Sequence, residues 1–158
     1  MSREIKFRGR SSDGIWMFGY LMPAPRPQIH PSCKHIISAV PHTIKSVDRG
    51  LYEVDEDTVG QYTGLKDKNG VEIYEGDILR TEGLKDIGGR LVQSIDLSEV
   101  VWCEDSCGFS AVEQKAIIAG KEKQQMGVFY MMPDSEECEV IGNVYDNPEL
   151  IRGEEKKP

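Results

Sequence analysis

Apolar and polar side chains alternate over short stretches of this chain, and clusters of turn-forming residues separate the stretches. Ile5 and Phe7 alternate with Glu4, Lys6 and Arg8, the period-two pattern of a half-buried strand. Ser11-Ser12-Asp13-Gly14 then offers turn chemistry before the apolar run from Ile15 to Met22, so the pattern predicts a β-hairpin. In its second strand Trp16, Phe18 and Tyr20 share one face and Ile15, Met17 and Leu21 the other, which predicts cover on both sides. Pro23, Pro25, Pro27 and Pro31 withhold the backbone donors that a ladder needs, and a mobile loop is expected over 22–35. Short strands are expected again in IISAV (36–40) and LYEV (51–54).

The segment YTGLKDKNGVEIYEGDILR, residues 62–80, is the densest in signals. Asn69-Gly70 between short apolar runs predicts a tight hairpin turn, because both residues tolerate positive backbone angles. After the turn Val71 and Ile73 are expected inward and Glu72 and Tyr74 outward, with a change of phase at Gly76 that predicts a bend or bulge. A calcium loop is the competing reading of the same residues. Asp67 and Asn69 fit its first and third positions, but the glycine falls at the fourth rather than the sixth, and the flanks read as strands rather than helices. The structural turn is preferred.

Beyond it, Gly83, Gly88 and Gly89 predict a flexible loop in TEGLKDIGGR. Strands are expected over Leu97–Trp102, from Gly108, and in MGVFYMM and ECEVIGNVY. Residues 110–120 admit two readings: a short helix with Ser110 and Glu113 as a capping box and Gly120 as its end, or the second arm of a hairpin. The helix is slightly favoured. The polar tail 152–158 is expected to fray.

The 158 residues with 39% hydrophobic content suit one ordinary domain or two small ones. No apolar run is long enough to cross a bilayer, and MSREIKFRGR lacks the apolar core of a secretory signal, so a cytoplasmic protein is expected. Cys33, Cys103, Cys107 and Cys138 are irregularly spaced and are expected to be free thiols. The net charge of -8 disfavours broad phosphate binding. It is unevenly spread, at +5 over residues 1–50 and -13 over the remainder.

Four blocks carry a family likeness: REIKFRGR at 3–10; Trp16, Gly19 and Tyr20; TVGQYTGLKDKNGVEIYEGDIL at 58–79; and EVIGNVYDNPEL at 139–150. Together they resemble the YopX-like proteins of phages and prophages. The resemblance implies a mostly β protein with an SH3-like β-barrel element, encoded by a phage or prophage and hence resident in the host cytoplasm. It implies no established activity and no catalytic residues. Residues 80–138 and the Pro-rich loop carry no recognisable family pattern. The expected architecture is mostly β, with an N-terminal β portion over 1–60, a barrel portion over 61–151 and at most one or two short helices.

Candidate chemistry is sparse. Cys33 and His35 with Cys103 and Cys107 contain enough soft ligands for zinc, but their spacing is not that of a finger or ribbon, and no metal or cofactor is assigned. A nucleophilic thiol at Cys103 is disfavoured because Glu104 and Asp105 follow it and would raise its pKa. Glu72, Glu75 and Asp77 read as solvated turn carboxylates rather than acid-base groups, with no histidine nearby. Lys6, Arg8 and Arg10 share one face of the first strand at a spacing that could track phosphates, and Trp16, Tyr62, Tyr74 and Trp102 could stack on bases if exposed. Core packing is the preferred role of the aromatics. The functional expectation is a non-enzymatic phage accessory protein, an interaction module that self-associates or binds a host or phage protein. The alternative is nucleic-acid binding through the basic first strand.

Overall fold

The computed structural model describes residues 4–23, 35–38, 51–118 and 120–152. Most of the Pro-rich segment, Cys33, and the tail from 153 onward lie outside the described residues, as does the expected strand end at 39–40. The fold is mostly β. The described strands form antiparallel sheets, with two 3₁₀ turns at Glu56–Thr58 and Pro148–Leu150. The chain divides into two compact units, Met1–Gly64 and Leu65–Pro158.

In the first unit, β1 (Phe7–Arg10) and β2 (Trp16–Pro23) form the predicted hairpin, with Phe7 opposite Gly19 and Arg10 opposite Trp16. The turn is closed by the Ser11 and Ile15 backbone and by Gly14, whose φ of 80° lies in the left-handed region. β3 (His35–Ser38), β4 (Leu51–Val54) and β5 (Gly60–Lys66) complete the side-by-side order β4-β3-β2-β1-β5. Gly9 is needed for contact rather than conformation: a Cβ there would lie 2.9 Å from the Cβ of Val54. Of the apolar residues expected to be covered, Ile15 before β2 is 61% and Phe18 within it 51% exposed, while Trp16, Met17, Tyr20 and Leu21 are partly buried.

In the second unit, β6 (Glu72–Tyr74) leads into a sheet built from β7 (Asp77–Asp86), β8 (Leu91–Cys103), β9 (Gly108–Ile118), β10 (Lys121–Met131) and β11 (Cys138–Asn143), in the order β10-β9-β8-β7-β11. This order is open, and no closed barrel forms among the described residues. The loop expected at TEGLKDIGGR is instead the end of a long hairpin. Gly83 pairs with Ser94 inside the ladder, and only the turn at 87–90 interrupts it, closed by the Ile87 and Arg90 backbone and by Asp86 accepting from Gly89.

The short helix expected over 111–119 is strand β9. Leu97 pairs with Lys115 and Ser98 with Glu113, which leaves Gln114 as an extra residue, a bulge. The slip explains the misreading. Ala111, Val112, Ala116 and Ile117 recur at a spacing close to a helical turn because the two halves of the strand are out of phase. Alternation puts Ile78 and Leu79 on opposite faces. Leu79 packs with Ile73, Val100 and Cys138, and Ile78 with Leu97 and Ile151, so each side of this sheet carries an apolar cluster.

Candidate functional site

The Asp67 segment settles into a turn rather than a cation loop. The backbone N–H of Gly70 donates to the Asp67 carbonyl, that of Asp67 donates to Val71, and Gly70 takes φ of 82°. The turn therefore spans Asp67 to Gly70, with only the glycine in the left-handed region. The Asp67 carboxylate is occupied by the chain itself. Oδ1 accepts from the backbone of Asn69 at 2.8 Å and Val71 at 2.9 Å, and Oδ2 from Val140 at 3.0 Å. Burial raises its pKa, but these backbone donors outweigh that and hold the carboxyl below the ordinary 3.8. Beside it, the Asn69 side chain reaches Glu139.

Gly76 takes φ of 80°, donates to Val100 and accepts from Val144. Asp77, expected to be a solvated turn carboxylate, is buried, and its Oδ2 accepts from the Tyr74 backbone at 2.7 Å. Side-chain phase after the turn also differs from expectation: Val71 is exposed and Tyr74 buried, its hydroxyl donating to Glu72.

The basic first strand is drawn into local contacts. Arg8 is only 7% exposed and lies over the Trp16 ring at 4.8 Å. Lys6 sits 4.8 Å from the Tyr62 ring and 3.8 Å from Glu4. Arg10 donates from Nε to the Gly14 carbonyl at 3.3 Å. Tyr62 and Tyr74 are buried, while Trp102 is half exposed and stacks edge-on against Phe109.

Cys103, Cys107 and Cys138 are free thiols. Contrary to the sequence expectation, the Cys103 thiol is held below its usual pKa, first by hydrogen bonding with the Ser106 side chain and backbone. Among the described residues no group of three His, Cys, Asp or Glu is arranged to hold a metal.

The most developed site lies on one face of the second sheet. Alternation along β7 points Leu79, Thr81, Gly83 and Lys85 to this face, β8 contributes Asp96 and Ser98, and β9 contributes Ala111 and Glu113. These positions floor a half-open cavity of about 300 Å³, rimmed by Met131, Pro133, Glu82 and Glu137.

Lys85 Nζ lies 2.9 Å from Asp96 Oδ1 and 2.9 Å from Glu113 Oε1. The Glu113 side chain is only 1% exposed. Burial lowers the Lys85 pKa, but the hydrogen bonds and charges of Asp96 and Glu113 prevail and raise it above the ordinary 10.5. The ammonium is thus fixed in its charged form between two carboxylates. Asp96 Oδ1 is sealed from solvent, with Lys85 Nζ as its close neighbour.

Sequence reasoning did not reach Lys85, Asp96 or Glu113. Their signal was a polar residue at an inward position of an alternating strand, and it was invisible while 81–90 read as loop and 111–119 as helix.

A family model described as YopX protein matches residues 26–152. The chain belongs to the YopX family. The match includes residues 80–138, where no family pattern could be recognised, and hence all the cavity residues of this YopX-family chain. REIKFRGR and the Trp16–Tyr20 block precede it. The crystal structure of protein EF1440 from Enterococcus faecalis is similar over 96% of this chain and 100% of that one, with a TM-score of 0.50 and 22% identity, a likeness of fold. No curated protein matches the chain. Among the described residues no helix is long and apolar enough to cross a membrane.

Proposed function

We propose that this YopX-family chain is a non-enzymatic accessory protein of phage or prophage origin, acting in the host cytoplasm as a β-rich interaction module. Its docking point is the cavity over β7, β8 and β9, and its partner is a protein, either another copy or one from host or phage. The observation that supports this most is the state of Lys85. A lysine acting as nucleophile or base needs a lowered pKa, whereas Lys85 is raised and clamped by Asp96 and Glu113. Such a site holds a fixed charge pattern suited to recognition. The engagement of Lys6, Arg8 and Arg10 within their own unit weighs against the nucleic-acid alternative.

The test is light scattering over a concentration series, with cross-linking in cells that express the natural neighbours. It compares the native chain with Thr81→Trp, which fills the cavity. Loss of a defined complex or of self-association in the folded variant is the expected result. Unchanged assembly in Thr81→Trp would remove the cavity from the proposal, and substrate turnover abolished by Lys85→Met would replace the module by an enzyme.

A further inference from the structure

The turn between β8 and β9 holds two of the chain's four cysteines. Cys103 ends β8 and faces Gly108 across the hairpin, and the residue next to Gly108 is Cys107. Paired residues of an antiparallel ladder have Cα atoms about 4.5 to 5.5 Å apart, and a disulfide spans about 4.4 to 6.8 Å. The turn therefore sets the two cysteines at a separation that a disulfide can bridge. Both thiols are free. Cys103 is partly exposed and Glu104, Asp105, Ser106 and Cys107 are exposed, so small solutes reach the pair.

The two thiols stand in different surroundings. The Cys103 sulfur is ringed by donors: the Ser106 hydroxyl and backbone N–H, the Asp105 backbone N–H and the Ser110 hydroxyl. Together they stabilise the thiolate and hold its pKa below the ordinary 9.0, against a smaller opposing effect of burial. Ser110 pairs with Val101, two residues before Cys103, so Cys103 and Ser110 share a face of the hairpin, turned away from the cavity that Ala111 and Glu113 line. Cys107 instead donates from Sγ to the Glu104 carbonyl at 3.3 Å, and its backbone N–H closes the turn on the same carbonyl at 3.1 Å. Its φ of 49° makes it the one non-glycine among the described residues in the left-handed region, which glycine enters at less cost. The second thiol is held in the turn against the preference of the backbone.

We propose that Cys103 and Cys107 form a reversible dithiol–disulfide switch at the tip of the β8–β9 hairpin, with Cys103 as the attacking thiolate, Cys107 as the resolving thiol and a small hydroperoxide as oxidant. In the first step the Cys103 sulfur attacks the hydroperoxide. An S–O bond forms, the O–O bond breaks, and the departing oxygen takes up a proton and leaves as an alcohol, or as water from hydrogen peroxide. In the second step the Cys107 sulfur attacks the sulfenic acid on Cys103. The S–S bond forms, the S–O bond breaks, and water leaves with the Cys107 proton. The two thiols lose two electrons and the peroxide gains them, and two equivalents of a small thiol reverse the change by exchange. The pair is not part of the docking cavity, and the switch does not depend on that reading.

The test treats the full, reduced chain with a small excess of hydrogen peroxide, follows free thiol, and reads the product by intact mass and peptide mapping. Expected are the loss of two hydrogens, a Cys103–Cys107 cross-link, recovery with dithiothreitol, and a rate above that of a blocked cysteine peptide, while the buried Cys138 stays reduced. Cys107→Ser should stop at a sulfenic acid that dimedone traps at Cys103, and Cys103→Ser should leave no fast thiol. Ser106→Ala removes one donor and neither thiol. It should slow the first step about threefold or more at neutral pH and move the midpoint of its pH profile upward, whereas Ser12→Ala in the exposed turn of the first unit should do neither. A reaction no faster than that of the free peptide, cross-links that join other cysteines or two chains instead, or a pH profile unmoved by Ser106→Ala would overturn the proposal.

Discussion

The carboxylate of Asp67 accepts the backbone N–H of Val140 at 3.0 Å, although the two residues are 73 positions apart in the chain. One side chain thereby holds its own turn, through Asn69 and Val71, and ties that turn to β11. Removing it by Asp67→Ala leaves three backbone donors to find other partners, and a loss of about 2 to 4 kcal/mol in urea unfolding is expected. The folded pKa lies below the ordinary 3.8, so this stabilisation is present above that value and is lost as pH falls through the folded pKa. The acid limb of the stability curve should flatten in Asp67→Ala. An unaltered limb would mean that the carboxylate is not the acid-sensitive tie.

Lys85 holds together two carboxylates that would otherwise repel each other. Lys85→Met should cost about 2 to 4 kcal/mol, because it removes the ammonium paired with the buried Glu113 carboxylate. Adding Glu113→Leu should recover most of that loss, since apolar replacement of a buried ion pair is commonly neutral or better. Thermal unfolding of the two variants decides it: a double variant no more stable than Lys85→Met would show that the triad is not the source of the cost.

On the opposite face, burial raises the Glu99 pKa above the ordinary 4.5, with Arg152 partly offsetting it. The sign is reversed from Asp67. The folded state holds the proton more tightly, so Glu99 favours folding at low pH and this contribution fades as pH rises through the folded pKa. Glu99→Gln should be at least as stable as the native chain at neutral pH and should lose the decline in melting temperature on the alkaline side of pH 4.5. A clear destabilisation at neutral pH would point instead to the charge of Glu99 as a needed partner for Arg152.

In the first unit, Gly9→Ala places a methyl 2.9 Å from the Val54 Cβ, an overpacking expected to cost about 1 to 3 kcal/mol. Val54→Ala alone should also destabilise, by opening a void. Combined, the two should be less damaging than the sum of the single effects, a coupling that a double-mutant cycle measures directly. Strict additivity would show that β1 and β4 do not meet at this point.

The parts of the fold legible in the sequence were those written in local code. The β1–β2 hairpin follows from alternation and a Ser-Ser-Asp-Gly turn, and the Gly70 and Gly76 positions from residues with backbone freedom. What escaped were features set by distant partners. Asp67 looked like an incomplete calcium ligand because its true partner, Val140, is remote in sequence. The cavity triad draws Lys85, Asp96 and Glu113 from three strands, and two of those strands were hidden by Gly83 and by the slip at Gln114. Glycine content suggested a loop where the ladder continues, since backbone freedom permits a turn without requiring one.

Along a strand, inward and outward positions follow a parity, and Gln114 is where that parity is reset. Its side chain reaches Glu99 at 3.3 Å on the face opposite the cavity, while Glu113 before it and Ala116 after it both point inward. If the residue were deleted, Glu113, Lys115 and Ala116 would follow one another opposite Ser98, Leu97 and Asp96, and the ladder would become regular with every side chain kept on its face. Gln114 is therefore an insertion that the strand absorbs as a bulge without moving Glu113 or Ala116 from the cavity face. Relatives that share this face should vary freely in what occupies position 114, and a chain shortened by that one residue should present the same inward side chains.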